Sequence, residues 1–457
     1  MVTAHDVVDR SAVAALPLPP KNPLPYRQQV KAVRLIHTGC QTLRDAGGPV
    51  TRLTLAPKWM LPPVVVVTSP RGGHDMLSRP DSVMERVSTH VEMRKLIGDN
   101  LFDVPHDEWL PMRRALQPLF IKKNVAKFAG HMAQAAESMT DRWADGALID
   151  LDTQCRKLTL RALGRSVLGV ELDESAERIA GSLNIALSYI ADRALSPVRA
   201  PSWLPTPARR RARRAARVLR DLTDGILQEC RRDADKDAPL VRALMEAVDP
   251  ETGQPLSDRE ISDQLVVFMG AGHDTTATTL TYALWQLGRN PELQARAVTE
   301  IEALGDRELT AADVAALPYI GAVLNEALRL CPPGPANPRT ATEDIAVDGY
   351  RVPAGTIVIY GVAAVQRDPA LWEHAEQFDP DRFLGPEAKD RNRWQFVPFG
   401  AGPRTCIGDH FAMLEATLAL ATVLRRVEIT STDQEFPVTF PFTLVADGPI
   451  HALVRRR

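Results

Sequence analysis

The 457-residue chain is poor in cysteine: Cys40, Cys155, Cys230, Cys331 and Cys406 are spread over its whole length. An odd, scattered set supplies no disulfide framework. It suits a reducing compartment, where a single cysteine acts as a ligand, a nucleophile or core filling. An excess of one charge is also missing, with 55 Lys+Arg against 57 Asp+Glu and a formal net charge of −2. That excludes global basicity as a ground for nucleic-acid binding. No apolar run approaches the about 20 residues that a bilayer span needs. The most apolar stretches, Val64–Val67 and Leu265–Met269, are far shorter, and the N-terminal residues hold no run long enough for a signal-peptide core. The expectation is a cytoplasmic protein with no membrane anchor. Hydrophobic residues at 45% and charged residues at 25% exclude wholesale disorder.

Proline is the abundant residue, at 36. Pro17, Pro19, Pro20, Pro23 and Pro25 make residues 1–24 a stiff, extended lead-in. Beyond it, Arg52–Leu55 and Val64–Val67 read as short strands, being β-branched and apolar, with Pro57–Pro63 separating them. From about residue 105 to 330 the apolar period is helical, as in Trp109–Leu116, Val218–Arg231 and Ile261–Leu287. Ser257 and Glu260 have the spacing of a capping box at the start of the last of these, and Asn290-Pro291 ends it. After residue 340 the period shortens. Ile345–Val352 reads as a hairpin turning at Asp348-Gly349, Thr356–Tyr360 as a strand, and Asp447-Gly448 as a second hairpin turn. The reading is mainly α with small β-sheets, an α+β fold, in one large unit. Arg209, Arg210, Arg211, Arg213, Arg214, Arg217 and Arg220 read as a solvated helix face, with nucleic acid or a membrane surface as the sharper alternative.

Cys406 differs from the other cysteines. It lies in Phe399-Gly400-Ala401-Gly402-Pro403-Arg404-Thr405-Cys406-Ile407-Gly408, just before the helical run Phe411–Arg425. Glycines let a flat ligand approach the sulfur. A following helix N-terminus and the Arg404 charge both favour the thiolate, the form that ligates metals. A glycine-rich turn holding an inert cysteine has the same composition, and composition does not choose between the two.

The loop resembles the haem-ligand signature Phe-x-x-Gly-x-Arg-x-Cys-x-Gly of the cytochrome P450 family, with every specified position present. At roughly 5% background per residue, a chance match in this chain is on the order of one in ten thousand. Three further motifs follow the family's order. Glu326-Ala327-Leu328-Arg329 resembles its Glu-x-x-Arg, whose spacing puts both side chains on one helix face. Pro380-Asp381-Arg382-Phe383 resembles the segment that adds a second arginine, so that Glu326, Arg329 and Arg382 would form a structural triad. Ala271-Gly272-His273-Asp274-Thr275-Thr276 resembles the oxygen-side helix motif. Glycine and threonine are weak helix formers, so the helix is expected to loosen there. By resemblance Asp274 and Thr275 would be the acid-alcohol pair that delivers the protons for O–O cleavage. His273 sits at the motif's variable position and is read as a pocket or surface residue.

The resemblance implies a haem-thiolate monooxygenase of the soluble bacterial type, with one haem-enclosing domain over residues 25–457. It would bind haem b through Cys406, with Phe399 and Gly408 in the same loop. Trp109 and Arg113 resemble the family's Trp-x-x-x-Arg, and with Arg339 and Arg404 they would hold the haem propionates. O2 would be activated to hydroxylate or epoxidise a lipophilic molecule such as a fatty acid, terpenoid, steroid or polyketide. Electrons would come from NAD(P)H through separate ferredoxin reductase and ferredoxin proteins. Arg114, Lys122, Lys123, Arg391 and Arg393 are candidates for that docking face. By resemblance the pocket draws on residues 80–105, Phe268, Ala271, Gly272, Pro335, Ala336, Asn337 and Phe442. Asn337 would bond either a substrate polar group or its own turn. Rival readings are a peroxygenase or isomerase, which keeps Cys406 without needing Asp274 and Thr275, and a non-catalytic haem-binding sensor.

Overall fold

The computed structural model describes residues 10–55, 61–87, 89–170, 172, 176–195, 200–201 and 203–457. The fold is mainly α-helical with small sheets, and its described residues fall into two compact units. The first gathers those of Met1–Val87, Gly334–Glu376 and Arg391–Cys406; the second gathers those of Ser88–Pro333, Gln377–Asp390 and Ile407–Arg457.

The first unit is built on a five-stranded sheet ordered β1-β2-β8-β5-β3. Its strands are β1 (Val50–Leu53), β2 (Val64–Val67), β3 (Met84–Glu85), β5 (Asn337–Ala341) and β8 (Ile357–Tyr360). β2 runs antiparallel to β1, with Val50 opposite Val67, and parallel to β8. All four β2 valines are buried, which explains a strand apolar on both faces rather than alternating. The first expected strand ends two residues early, because the Thr54 amide donates to Gln29 Oε1 at 2.8 Å instead of continuing the ladder. Pro57 to Met60, in the expected spacer, lie outside the described residues, as do residues 1–9 of the lead-in. The rest of the lead-in is docked: the Arg52 amide donates to Pro20 O at 2.8 Å and the Asn22 amide to Arg52 O at 2.9 Å. The hairpin of β6 (Ile345–Val347) and β7 (Tyr350–Val352) forms as expected. Asp348 and Gly349 have φ of 48° and 81°, the two left-handed residues of a type I′ turn.

In the second unit the expected helices are present and longer. They run His106–Leu116, Pro207–Arg232 and Asp258–Arg289. The last opens on a complete capping box, Ser257 amide to Glu260 Oε2 at 2.8 Å and Glu260 amide to Ser257 Oγ at 3.3 Å, a device contributing about 1 kcal/mol. Thr276 to Gly288 are buried on all sides, so this helix is a core element rather than an amphipathic one. It packs against the Leu151–Leu163 helix; a side chain on Gly272 would meet Leu163 Cδ1 at 2.9 Å, so the glycine permits the close approach. Strands β4 (Leu148–Asp150), β12 (His451–Arg456) and β9 (Val427–Ser431) form one antiparallel sheet, and β10 (Val438–Thr439) pairs with β11 (Val445–Ala446). The Asp447-Gly448 hairpin is therefore not formed. Gly448 does turn, with φ of 113°, but Pro449 has no amide to extend a ladder, and β11 and β12 enter different sheets. Of the arginine run, Arg209 is buried and donates to Tyr189 OH, Pro201 O and Ala200 O. Arg220 pairs with Asp263 at 2.6 Å. The intervening arginines are exposed, as a solvated face requires.

Candidate functional site

The first unit carries the cysteine loop. Gly400 and Gly402 adopt φ of 69° and 74°. A Cβ on Gly402 would lie 1.7 Å from Leu77 O, so no other residue fits there. The Cys406 amide donates to Phe399 O at 2.9 Å and the Thr405 amide to Gly402 O at 3.1 Å, closing the turn. Phe399 is partly exposed. Of the five cysteines Cys406 alone is exposed, and none is in a disulfide. Burial pushes the Cys40 and Cys155 thiols up to about 12, which leaves them inert.

Two buried arginines stand in the same unit. Arg404 grips Asp81 in bidentate fashion, Nε to Oδ1 at 2.7 Å and Nη2 to Oδ2 at 2.6 Å. Arg339, 4% exposed, donates from Nη1 to Pro338 O at 2.9 Å and makes no ion pair among the described residues. Burial pulls its pKa down to about 10, with Asp81 opposing and Arg404 adding to the shift. One carboxylate thus faces two buried cations, and a buried positive charge left over calls for an anion. An exposed cysteine on a glycine-rich turn and a buried guanidinium with no ion pair among the described residues fit an iron porphyrin with its propionates. Sequence reasoning missed Asp81; 323 residues separate it from Arg404, and no local pattern marks such a pairing. Asn337 opens β5 opposite Tyr360, so it does not stabilise a turn. Its amide group lies 3.5 Å from the Cβ position of Gly400. Pro335 is buried and Ala336 half-buried.

The second unit brings Glu326, Arg329 and Arg382 together. Arg329 bonds both oxygens of Glu326 at 2.7 Å, with both side chains fully buried. Arg382 Nε lies 3.4 Å from Glu326 Oε1, and the Asp379 amide donates to that oxygen at 2.9 Å. Trp109 and Arg113 are both buried on the His106–Leu116 helix. Arg114, one of the docking candidates, is paired with Asp249 and Glu251 at 2.9 Å and 2.7 Å. Gly408 immediately precedes the Asp409–Arg426 helix.

The long helix departs from expectation at its motif. It does not loosen: helical bonding is continuous from Asp258 to Arg289. Thr275, Thr278 and Thr279 each donate from Oγ1 to the carbonyl four residues back, at 2.7, 2.9 and 2.9 Å. These back-bonds satisfy the hydroxyls within the helix. Phe268, Ala271, Gly272 and Thr275, at helical spacing, stay partly or fully exposed and form one strip. Phe268 packs edge-on against Phe120 and Phe102 at a tilt against Phe442, with ring centroids 5.2 and 6.0 Å apart; Phe120 was not foreseen. Asp274 pairs with Arg156 Nη1, and Arg156 Nε also holds Asp152 at 2.6 Å. His273 is neither a surface nor a pocket residue. It is 1% exposed, turned against the Leu151–Leu163 helix where Thr159 meets it.

Among the described residues no helix is long and apolar enough to cross a membrane. The chain is 34% identical to cyclooctat-9-en-7-ol 5-monooxygenase of Streptomyces melanosporofaciens, over 75% of either chain. It is 33% identical to pentalenene oxygenase of Streptomyces avermitilis, over 74% of this chain and 75% of that one. Among solved structures, a mutant haem domain of cytochrome P450DA superposes with a TM-score of 0.83 at 26% identity, over 97% of this chain and 98% of that one. The profile of the family described as cytochrome P450 matches residues 17–451, and the chain accordingly belongs to that family of haem monooxygenases.

Proposed function

We propose that this chain oxygenates a terpenoid hydrocarbon or alcohol, with electrons from NAD(P)H arriving through a ferredoxin and its reductase. The observation that carries the substrate class is the pair of relatives named for cyclooctatenol and pentalenene oxidation. The aromatic pairs Phe102–Phe442 and Phe120–Phe268 support it, since apolar aromatic side chains suit a hydrocarbon.

The haem, when bound, supplies the iron that activates dioxygen. Cys406 would hold it through its sulfur, and Arg339 and Arg404 would hold its carboxylates. The back-bond to Ala271 O fixes the Thr275 hydroxyl on the exposed strip while leaving its oxygen lone pairs able to accept a proton donor. Asp274, held by Arg156, would carry protons toward that strip. The motif places Asp274 next to Thr275, and the helix keeps both in one turn.

Titration with diterpene and sesquiterpene hydrocarbons, palmitate and a steroid, read as the haem spin-state shift, tests the substrate class. Terpenoids are expected to bind at least ten-fold more tightly than palmitate, and to give a hydroxylated product on adding NAD(P)H, ferredoxin and reductase. Tighter palmitate binding would overturn the terpenoid reading. Turnover with hydrogen peroxide alone at the full rate would favour a peroxygenase.

A further inference from the structure

We propose that the arginine face of the Pro207–Arg232 helix, with Trp203 at its foot, docks this chain reversibly on an anionic lipid surface. The proposal is independent of the substrate class.

Charge is placed along this helix against the helix's own stability. Arg210, Arg211, Arg213, Arg214 and Arg217 are exposed, while Ala212, Ala215 and Leu219 are buried. At about 100° per residue the exposed arginines cover roughly 160° of the circumference, opposite the buried stripe. Arg210 and Arg214 are four residues apart, as are Arg213 and Arg217, so like charges face each other. The run begins at the amide end of the helix, which is already positive, and the first turn holds no acidic residue. None of the exposed arginines makes an ion pair among the described residues, whereas Arg220 holds Asp263 at 2.6 Å. Asp192, exposed on the packed Ala176–Leu195 helix, does not pair with them. The same face turns acidic only beyond them, at Asp221 and Asp224. Such a cationic face repels itself in the free chain, and an anionic surface brought against it relieves the repulsion.

A second feature favours a bilayer over a nucleic acid or an acidic protein. Trp203 is 78% exposed and Leu204 40%, just ahead of the helix N-cap Thr206. The turn that carries them is braced. The Leu204 amide donates to Pro201 O and the Thr206 amide to Leu204 O, each at 3.0 Å. The buried Arg209 donates to Pro201 O at 2.7 Å, to Ala200 O at 3.2 Å and to Leu204 O. Its Nε reaches Tyr189 OH, on the Ala176–Leu195 helix, at 3.0 Å. One guanidinium therefore fixes this turn against two helices, and the fixed turn keeps an indole in water.

Holding apolar surface in water is unfavourable and gains nothing in the free chain. The boundary between headgroups and acyl chains takes an indole while leaving guanidinium groups at the level of the phosphates. A nucleic-acid backbone or a carboxylate-rich protein face would set Trp203 and Leu204 against charge instead. With a formal net charge of −2 for the whole chain, the attraction is local to this face. No helix among the described residues is long and apolar enough to cross a membrane, so the contact is peripheral.

The haem-loaded full chain is sedimented with vesicles of phosphatidylcholine alone, and of phosphatidylcholine and phosphatidylglycerol in equal parts. Binding is expected to the second kind only, and it should weaken as salt is added. The quadruple variant Arg210→Gln, Arg213→Gln, Arg214→Gln, Arg217→Gln should bind at least about a hundred-fold more weakly. Its reduced carbon monoxide spectrum should match the wild type, showing that the fold is retained. Trp203 is the one exposed tryptophan among the described residues. Brominated acyl chains should therefore quench its fluorescence, and Trp203→Ser should remove that quenching. Failure to bind the anionic vesicles, undiminished binding by the quadruple variant, or no quenching would each overturn the proposal. So would duplex DNA or an acidic ferredoxin that binds more tightly than the vesicles and loses that binding in the quadruple variant.

Discussion

At the scale of single residues, burial decides which charges matter. Cys406 is exposed while Cys40 and Cys155 are buried; the difference lies in the turn that carries it, not in the cysteine. Asp103 shows the opposite case. It is 5% exposed. Burial pushes its pKa up to about 8, with the Asn100 amides and Arg94 opposing. The unfolded chain loses this proton near pH 4, whereas the folded chain keeps it to about pH 8. The unfolded state thus binds fewer protons across that window, so this group lowers stability as pH rises through it. Asp103→Asn is expected to stabilise by on the order of 2 kcal/mol at pH 8 and to change little at pH 4. Urea unfolding at the two pH values measures this, and an equal gain at both would assign the effect to packing instead.

At the scale of elements, the Glu326–Arg329 pair links the Pro318–Leu330 helix to the Pro380–Phe383 turn through Arg382 and the Asp379 amide. A buried ion pair of this kind adds little net stability intact, because desolvation offsets attraction. Removing one partner is a different matter. Glu326→Ala leaves two guanidinium groups without their carboxylate and is expected to cost about 3–5 kcal/mol. The double variant Glu326→Leu, Arg329→Met should cost clearly less, since it removes the fully buried guanidinium and leaves only Arg382, which also lies 3.9 Å from Asp379. Comparing urea midpoints, or soluble yield where unfolding is irreversible, tests the contrast. The helices themselves were legible from spacing alone, as were the Ser257–Glu260 box and the Asp348-Gly349 turn, because each depends on residues within a few positions. The threonines of the long helix were misread for a related reason: weak helix propensity predicts loosening, but burial from Thr276 to Gly288 keeps the helix regular while the back-bonds satisfy its hydroxyls.

At the scale of the whole molecule, the positive charge left over at Arg339, beside the Arg404–Asp81 pair, implies that the folded chain gains stability from an anionic ligand that the unfolded chain does not bind. Protein produced under haem depletion should melt several degrees lower than the haem-loaded form. Arg339→Ala should shrink that difference without abolishing it. Calorimetry of both forms measures the gap, and equal melting temperatures would refute the link between these arginines and the ligand.

The amino-acid sequence by itself determined the family, the cysteine loop and the long helix with its Asp274-Thr275 step. These are written in residues a few positions apart, where backbone geometry alone sets who meets whom. Tertiary structure alone decided that Asp81 holds Arg404, that Arg156 holds Asp274, that His273 turns inward to Thr159, and that Asp447-Gly448 separates two sheets. Those pairings join residues more than a hundred positions apart or depend on which strand lies alongside. Burial selects them by penalising every charge and lone pair left without a partner, and no short stretch of sequence records that penalty.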